Sequence, residues 1–161
     1  MTTRIWVDAD ACPAVVREIL FRVATRAAVD VTFVANAWIR TPATPRVRAL
    51  QVQGGFDAAD DAIAERAGPG DLVVTQDIPL AARVLARGAQ AITPRGERFS
   101  ADTIAERLSM RNFMDELRGA GVQTGGPAPL HARDRQAFAN QLDQWVARRA
   151  PDTGTSGEVG A

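Results

Sequence analysis

RIWVDAD, residues 4–10, is the stretch that decides the fold. Ile5, Trp6 and Val7 form a short apolar run that breaks off on two acids, Asp8 and Asp10. Such a run reads as a buried strand with charge at its carboxyl end. Residues 71–75, DLVVT, repeat the form, and Asp77 follows two residues later. Between and after these runs the periodicity changes. Val15, Val16, Ile19, Leu20 and Val23 recur at helical spacing within a helix expected over 13–28, with Pro13 suited to its first turn. A second strand is expected at 29–35 (VDVTFVA), a loop with two prolines at 38–45, and a third strand at 47–52. A helix over 57–67 ends near Gly68-Pro69-Gly70, a helix over 79–87 is closed by Gly88, and a fifth strand follows at 89–93.

Strands alternating with helices imply a mainly parallel sheet with right-handed crossovers. The expected fold is a three-layer, doubly wound α/β domain with strand order 3-2-1-4-5. Past Arg95-Gly96 the pattern becomes helical: one helix over 102–118, a Gly/Pro linker TGGPAP, and a helix over 133–149. These additional C-terminal helices either cover the active edge or form a partner surface. Residues 1–149 are read as one domain, and 150–161, small and polar, as a disordered tail.

The composition suits this reading. A chain of 161 residues, 46% hydrophobic and 24% charged, can bury a core without disulfides. Cys12 is the single cysteine, so no intramolecular disulfide can form. No signal peptide precedes the first strand, and no run approaches the roughly 18 apolar residues of a membrane span. A cytoplasmic protein is expected. The formal net charge of zero excludes a uniformly basic coat and leaves room for a local basic face. Every basic residue is Arg; the absence of Lys and Tyr reads as coding bias before it reads as adaptation to phosphate.

The acids carry the functional signal. In open α/β sheets ligands bind outside the carboxyl ends of the strands. Asp8 and Asp10 end the first strand, Asp77 follows the fourth, and Asp57, Asp60 and Asp61 open a helix with spacings of three and four. Asp71 begins its strand, at the opposite edge, and reads as a loop residue. Carboxylates brought together repel unless a cation intervenes. Oxygen ligands alone suit Mg²⁺ or Mn²⁺, and His131 has no partner at zinc-site spacing. Each acid also has a structural alternative: Asp10, Asp57 and Asp77 can cap helices, and Asp60 or Asp61 can serve a helix dipole.

Several segments resemble the YaiI/YqxD family of uncharacterised bacterial proteins: WVDADACP, FVAN, GFDAADDAI, GDLVVTQDIPLAARVLARGAQAITPRG and MRNFMDELRGAGVQTGGPAP. They span nearly the whole chain up to the tail. The family is similar in turn to PIN-like domains, the architecture of metal-dependent and NYN-type ribonucleases. That resemblance implies an acid ending the first strand (Asp8), one on a central helix (Asp57, Asp60 or Asp61) and one after the fourth strand in a Thr75-Gln76-Asp77 context. The Asp10 and Cys12-Pro13 positions belong to the family and not to PIN domains at large.

The resemblance and the acid pattern together imply a metal-dependent nuclease, RNA favoured. Its catalytic candidates are Asp8, Asp10, Asp57, Asp61 and Asp77, and its metal ligands come from Asp8, Asp57, Asp60, Asp61 and Asp77. Asn36, Arg40, Thr75, Arg95 and Arg98 are expected to contact substrate, with Arg46 nearby. Arg107, Arg111 and Arg118 share a helix face that reads as solvated. Trp38 can stack a base, although a partly buried core tryptophan is the expectation. The non-enzyme alternative is a PIN-like module that binds RNA and a metal without turnover. A haloacid-dehalogenase-like phosphatase is a second alternative, since VDADAC echoes its Asp-x-Asp; the absence of Lys counts against it. A cysteine phosphatase needs Arg where Glu18 stands. Cys12 is expected as a packed helix-start residue, although a helix N-terminus can lower a thiol pKa.

Overall fold

The computed structural model describes residues 2–55, 57–119 and 129–149. Its strands are β1 (Ile5–Asp8), β2 (Val31–Ala35), β3 (Val47–Gln51), β4 (Leu72–Val74), β5 (Gln90–Ile92) and β6 (Arg98–Phe99). Its helices are α1 (Ala14–Arg26), α2 (Ala58–Arg66), α3 (Ile78–Ala86), α4 (Ile104–Gly119) and α5 (Ala132–Arg148). The sheet runs β3-β2-β1-β4-β5-β6. The first five strands are parallel and in the expected order, with Val7 beside Val34's neighbour Phe33 on one side and Val74 on the other. The chain winds from β1 outward to β2 and β3, then crosses to β4 and β5. The direction of winding therefore reverses between β1 and β4.

β6 is an addition to the expected sheet. It pairs antiparallel with β5, Ala91 facing Phe99 and Ile92 facing Arg98. Two residues carry too little periodicity to be read as a strand. The turn before it is held by Gly96 at φ +86°, where a Cβ would lie 2.5 Å from the Ala137 carbonyl carbon. Gly96 thus allows the β5–β6 turn to press against α5.

Side-chain alternation divides the core into two layers. Ile5, Val7, Phe33 and Val74 face α1 (Val16, Leu20, Val23) and α5 (Phe138, Leu142, Trp145). Trp6, Val34, Val73 and Ala91 face α2 (Ile63), α3 (Leu80, Val84) and Ile104 of α4. Both faces of β1 and β4 are buried, which explains their unbroken apolar runs. α5 therefore packs on the sheet face opposite α2 and α3. It is pinned there by Arg95 to Asp134 at 2.8 Å, Trp145 Nε1 to the Gly70 carbonyl at 3.1 Å, and Arg149 to the Ala27 carbonyl at 2.7 Å. Among the described residues no helix is long and apolar enough to cross a membrane. The tail at 150–161 and most of TGGPAP lie outside the described residues.

Asp71 corrects its reading as a loop residue. It is buried at the amino edge, where its carboxylate accepts hydrogen bonds from Arg4 N at 2.9 Å, Trp6 Nε1 at 3.0 Å and Gly68 N at 3.0 Å. It ties the start of β1 to the start of β4. Asp71→Ala leaves the Trp6 indole N–H buried without its acceptor, and a loss of about 3 kcal/mol is expected. A urea melt checks this; a midpoint within experimental error of wild type would refute the anchoring role.

Candidate active site at the carboxyl edge of the sheet

Trp6 and Val73 face α2 and α3. Two residues further along each strand, Asp8 and Thr75 are brought to the same face, now at the carboxyl edge. The register that sets Val7 beside Val74 makes them neighbours. The buried Thr75 hydroxyl donates to Asp8 Oδ2 at 2.8 Å and accepts from Asp77 N at 2.9 Å. Asp77 then caps α3, its Oδ1 accepting from Leu80 N at 2.8 Å. Thr75 is the joint between the two acid-bearing strands.

The third contribution comes from α2. Asp60 lies three, four and seven residues before the buried Ile63, Ala64 and Ala67. It therefore stands on the sheet-facing side of the helix, at its first turn. Asp61, one residue on, faces outward and pairs with Arg83 at 2.9 Å. Asp57 precedes the helix, exposed, and its side chain makes no capping hydrogen bond. The sequence left the helix acid open among the three; the structure brings Asp60 to the strand acids. The alignment of Asp60 with the Ile63-Ala64-Ala67 stripe was the signal that distinguishes it.

The electrostatics follow from this crowding. Asp60 is pushed up from 3.8 to about 7 by burial, by the charges of Asp77, Asp8 and Asp57, and by a hydrogen bond with the Asp77 carboxyl. Asp8 is raised as well, first by burial, then by Asp77 and Asp10, against the lowering effect of Thr75.

Asp10 plays a different part. It follows β1 in a 3₁₀ turn, Ala9–Ala11, and does not cap α1. Its Oδ2 accepts from Asn36 N at 2.9 Å and Asn36 Nδ2 at 3.2 Å, and its Oδ1 from Ala37 N at 3.5 Å. Asp10 and Asn36 thereby fasten the β2–β3 loop to the end of β1.

The arginines expected at substrate are dispersed. Arg95 pairs with Asp134 and donates to the Pro129 carbonyl at 3.3 Å, so it anchors α5. Asp134 is held below the usual carboxylate range by the His131 N–H and by Arg95. Arg98 lies on β6, not in a loop, and reaches Gln90 at the beginning of β5, at 3.4 Å. Arg46 pairs with Asp30 and Arg107 with Glu97, while the Arg118 side chain lies outside the described residues. Arg40 remains exposed and makes no hydrogen bond or ion pair among the described residues. One expectation is corrected: Trp38 is not a core residue; it is 69% exposed. Cys12 is the packed helix-start residue expected; it is buried and its thiol is pushed up to about 12, mainly by burial, so the helix start does not activate it.

A hard cation is the chemical complement of this donor set. Among the described residues, however, no three carboxylates are drawn close enough to hold an ion as they stand. The arrangement fits an ion of the kind that keeps several waters and takes one or two carboxylates, here Asp60 and Asp77, with Asp8 and Asp57 acting at longer range. No closed, all-protein cage is formed.

Comparison with known proteins adds a family. The profile described as "Uncharacterized BCR, YaiI/YqxD family" matches residues 6–148. A UPF0178 protein of Xanthomonas campestris pv. campestris (strain 8004) is 72% identical over 147 residues, covering 91% of this chain and 92% of its own. A UPF0178 protein of Halorhodospira halophila is 61% identical over 146 residues, 91% of this chain and 97% of its own. One of Shewanella amazonensis is 55% identical over 145 residues, 90% and 97% respectively. No solved structure matches the chain.

The raised Asp60 value fixes a pH dependence. Its folded value, about 7, exceeds the unfolded 3.8. The folded state therefore holds a proton that the unfolded state has lost, and the stabilisation present below pH 4 disappears as pH rises through 7. In EDTA the melting temperature should fall between pH 5 and 8, and Asp60→Asn should remove most of that fall. A wild-type profile flat across this range would show that the acids do not interact as described.

Proposed function

We propose that this chain, which belongs to the YaiI/YqxD family, is a metal-dependent phosphodiesterase of PIN-like fold acting on nucleic acid, RNA in the first instance. One observation carries the reading: Asp8 and Asp77, joined through Thr75, and Asp60 of α2 come together where the winding of the sheet reverses between β1 and β4. That crevice is the ligand site of open α/β sheets. An acid cluster there is costly to the empty protein, and a divalent cation relieves the cost.

When bound, Mg²⁺ or Mn²⁺ would lower the pKa of a water and offset charge on the scissile phosphate. The rest falls to the chain. Asp60, raised to about 7 by burial and by its acid neighbours, would serve the cation as a ligand; the attacking water gives its proton to solvent as its oxygen bonds to phosphorus and the P–O bond to the sugar breaks. The departing alkoxide is protonated by solvent. Asp77 is fixed by its capping bond to Leu80 and keeps its second oxygen for the cation. Thr75 holds Asp8 in position.

Labelled single-stranded and structured RNA and DNA should be cut in Mg²⁺ or Mn²⁺ and not in EDTA. Asp60→Asn and Asp8→Asn should each lower the rate by about 10²-fold or more. Asp61→Ala, on the exposed ion pair, should leave it unchanged. Cutting that survives both former substitutions, or its absence in either metal, would overturn the enzymatic reading. The protein would then be a non-catalytic PIN-like module that binds RNA and a metal without turnover.

Metal binding has a separate readout. Saturating Mg²⁺ at about a hundred times its Kd should stabilise the wild type by about 2.7 kcal/mol and the Asp60→Asn protein by much less. Equal shifts in the two proteins would remove Asp60 from the metal site.

A further inference from the structure

The loop that leaves β2 at the carboxyl edge carries an exposed aromatic and, two residues on, a cation with no acid partner among the described residues. Trp38 is 69% exposed, although it is the largest side chain of the loop. Burial is the ordinary fate of tryptophan; Trp6 and Trp145 follow it, at 5% and 4% exposure. Arg40 makes no hydrogen bond or ion pair among the described residues, whereas Arg46, Arg83, Arg95 and Arg107 are each paired with an acid. Beside Arg40 lies a cleft of about 360 Å³ between the loop and the start of α1, lined by Arg17, Glu18, Phe21, Thr41 and Pro42.

The loop is fastened to the acids. Asp10 accepts from the backbone N–H groups of Asn36 and Ala37, the two residues that precede Trp38. Gln51 Nε2 donates to the Asn36 carbonyl at 3.1 Å, bracing the loop from β3. Asp10 is also among the charges that raise Asp8. The loop that carries Trp38 is therefore fastened at the same edge as the Asp8-Thr75-Asp77 line.

An exposed ring two residues from an exposed guanidinium is the chemistry that can hold one unpaired base and its phosphate. A duplex hides its base faces, so such a platform selects unpaired strands. We infer that Trp38 and Arg40 form a stacking-and-phosphate platform for single-stranded nucleic acid at the edge of the acid cluster, so that the substrate class is single-stranded. The inference rests on the nucleic-acid reading above, but its test measures binding of an uncut strand.

The test uses the full chain, a 12-nucleotide oligouridylate and the same strand in a duplex, in EDTA, where the strand stays uncut. Since Trp6 and Trp145 are buried, quenching of exposed tryptophan emission reports on Trp38. The single strand should quench it and the duplex should not. By anisotropy, Trp38→Ala should bind about tenfold more weakly, and Trp38→Phe should keep most of the affinity. Arg40→Gln should lower the slope of log K against log salt by about 0.7. The platform is overturned if Trp38→Ala binds as wild type does, if the duplex binds as well as the single strand, or if neither binds. Loss of cleavage in Asp60→Asn with quenching intact would leave it standing; cleavage that continues in Trp38→Ala with unchanged affinity would refute it and leave the nuclease reading whole.

Discussion

The hydrogen bond from Thr75 to Asp8 joins the carboxyl ends of the two central strands, and the rest of the site depends on it. It exists because β1 and β4 are neighbours in register, although 67 residues separate the two side chains along the chain. The same hydroxyl accepts from Asp77 N, which orients the cap of α3. One buried threonine therefore fixes the end of a strand, the start of a helix and the spacing of two acids.

The two edges of the sheet treat their acids in opposite ways. At the amino edge Asp71 accepts three N–H donors and is fully used by the fold. At the carboxyl edge Asp60 is part-buried among other carboxylates, and burial first, then their charges, raise its proton affinity. A carboxylate supplied with donors is structural; one supplied with like charges stores an unfavourable interaction. That contrast separates an anchor from a site among residues of one chemical type.

Charge placement around the site follows the same division. Arg95 and Asp134 form the clamp for α5, and Gly96 gives the clamp room to close. Arg83 draws Asp61 away from the cluster. What remains at the carboxyl edge is the loop fastened through Asp10 and Asn36, with its exposed Trp38. A loop held by buried strands can present such a ring without losing its position.

The sequence by itself determined the α/β class, the five parallel strands and their order. β1, β2 and β4 are buried on both faces and are therefore largely continuous apolar runs, and each crossover helix carries its own period. It also located Asp8 and Asp77, because a strand that stops on an acid must stop where the sheet meets solvent. It could not choose among Asp57, Asp60 and Asp61 without knowing which side of α2 meets the sheet. Two residues of β6, the destination of Arg95 and the burial of Asp71 depend on partners distant in the chain, and pattern reports only neighbours. Trp38 failed for the reverse reason: hydrophobicity predicts burial, and only tertiary structure decides which large side chain finds no surface to cover it.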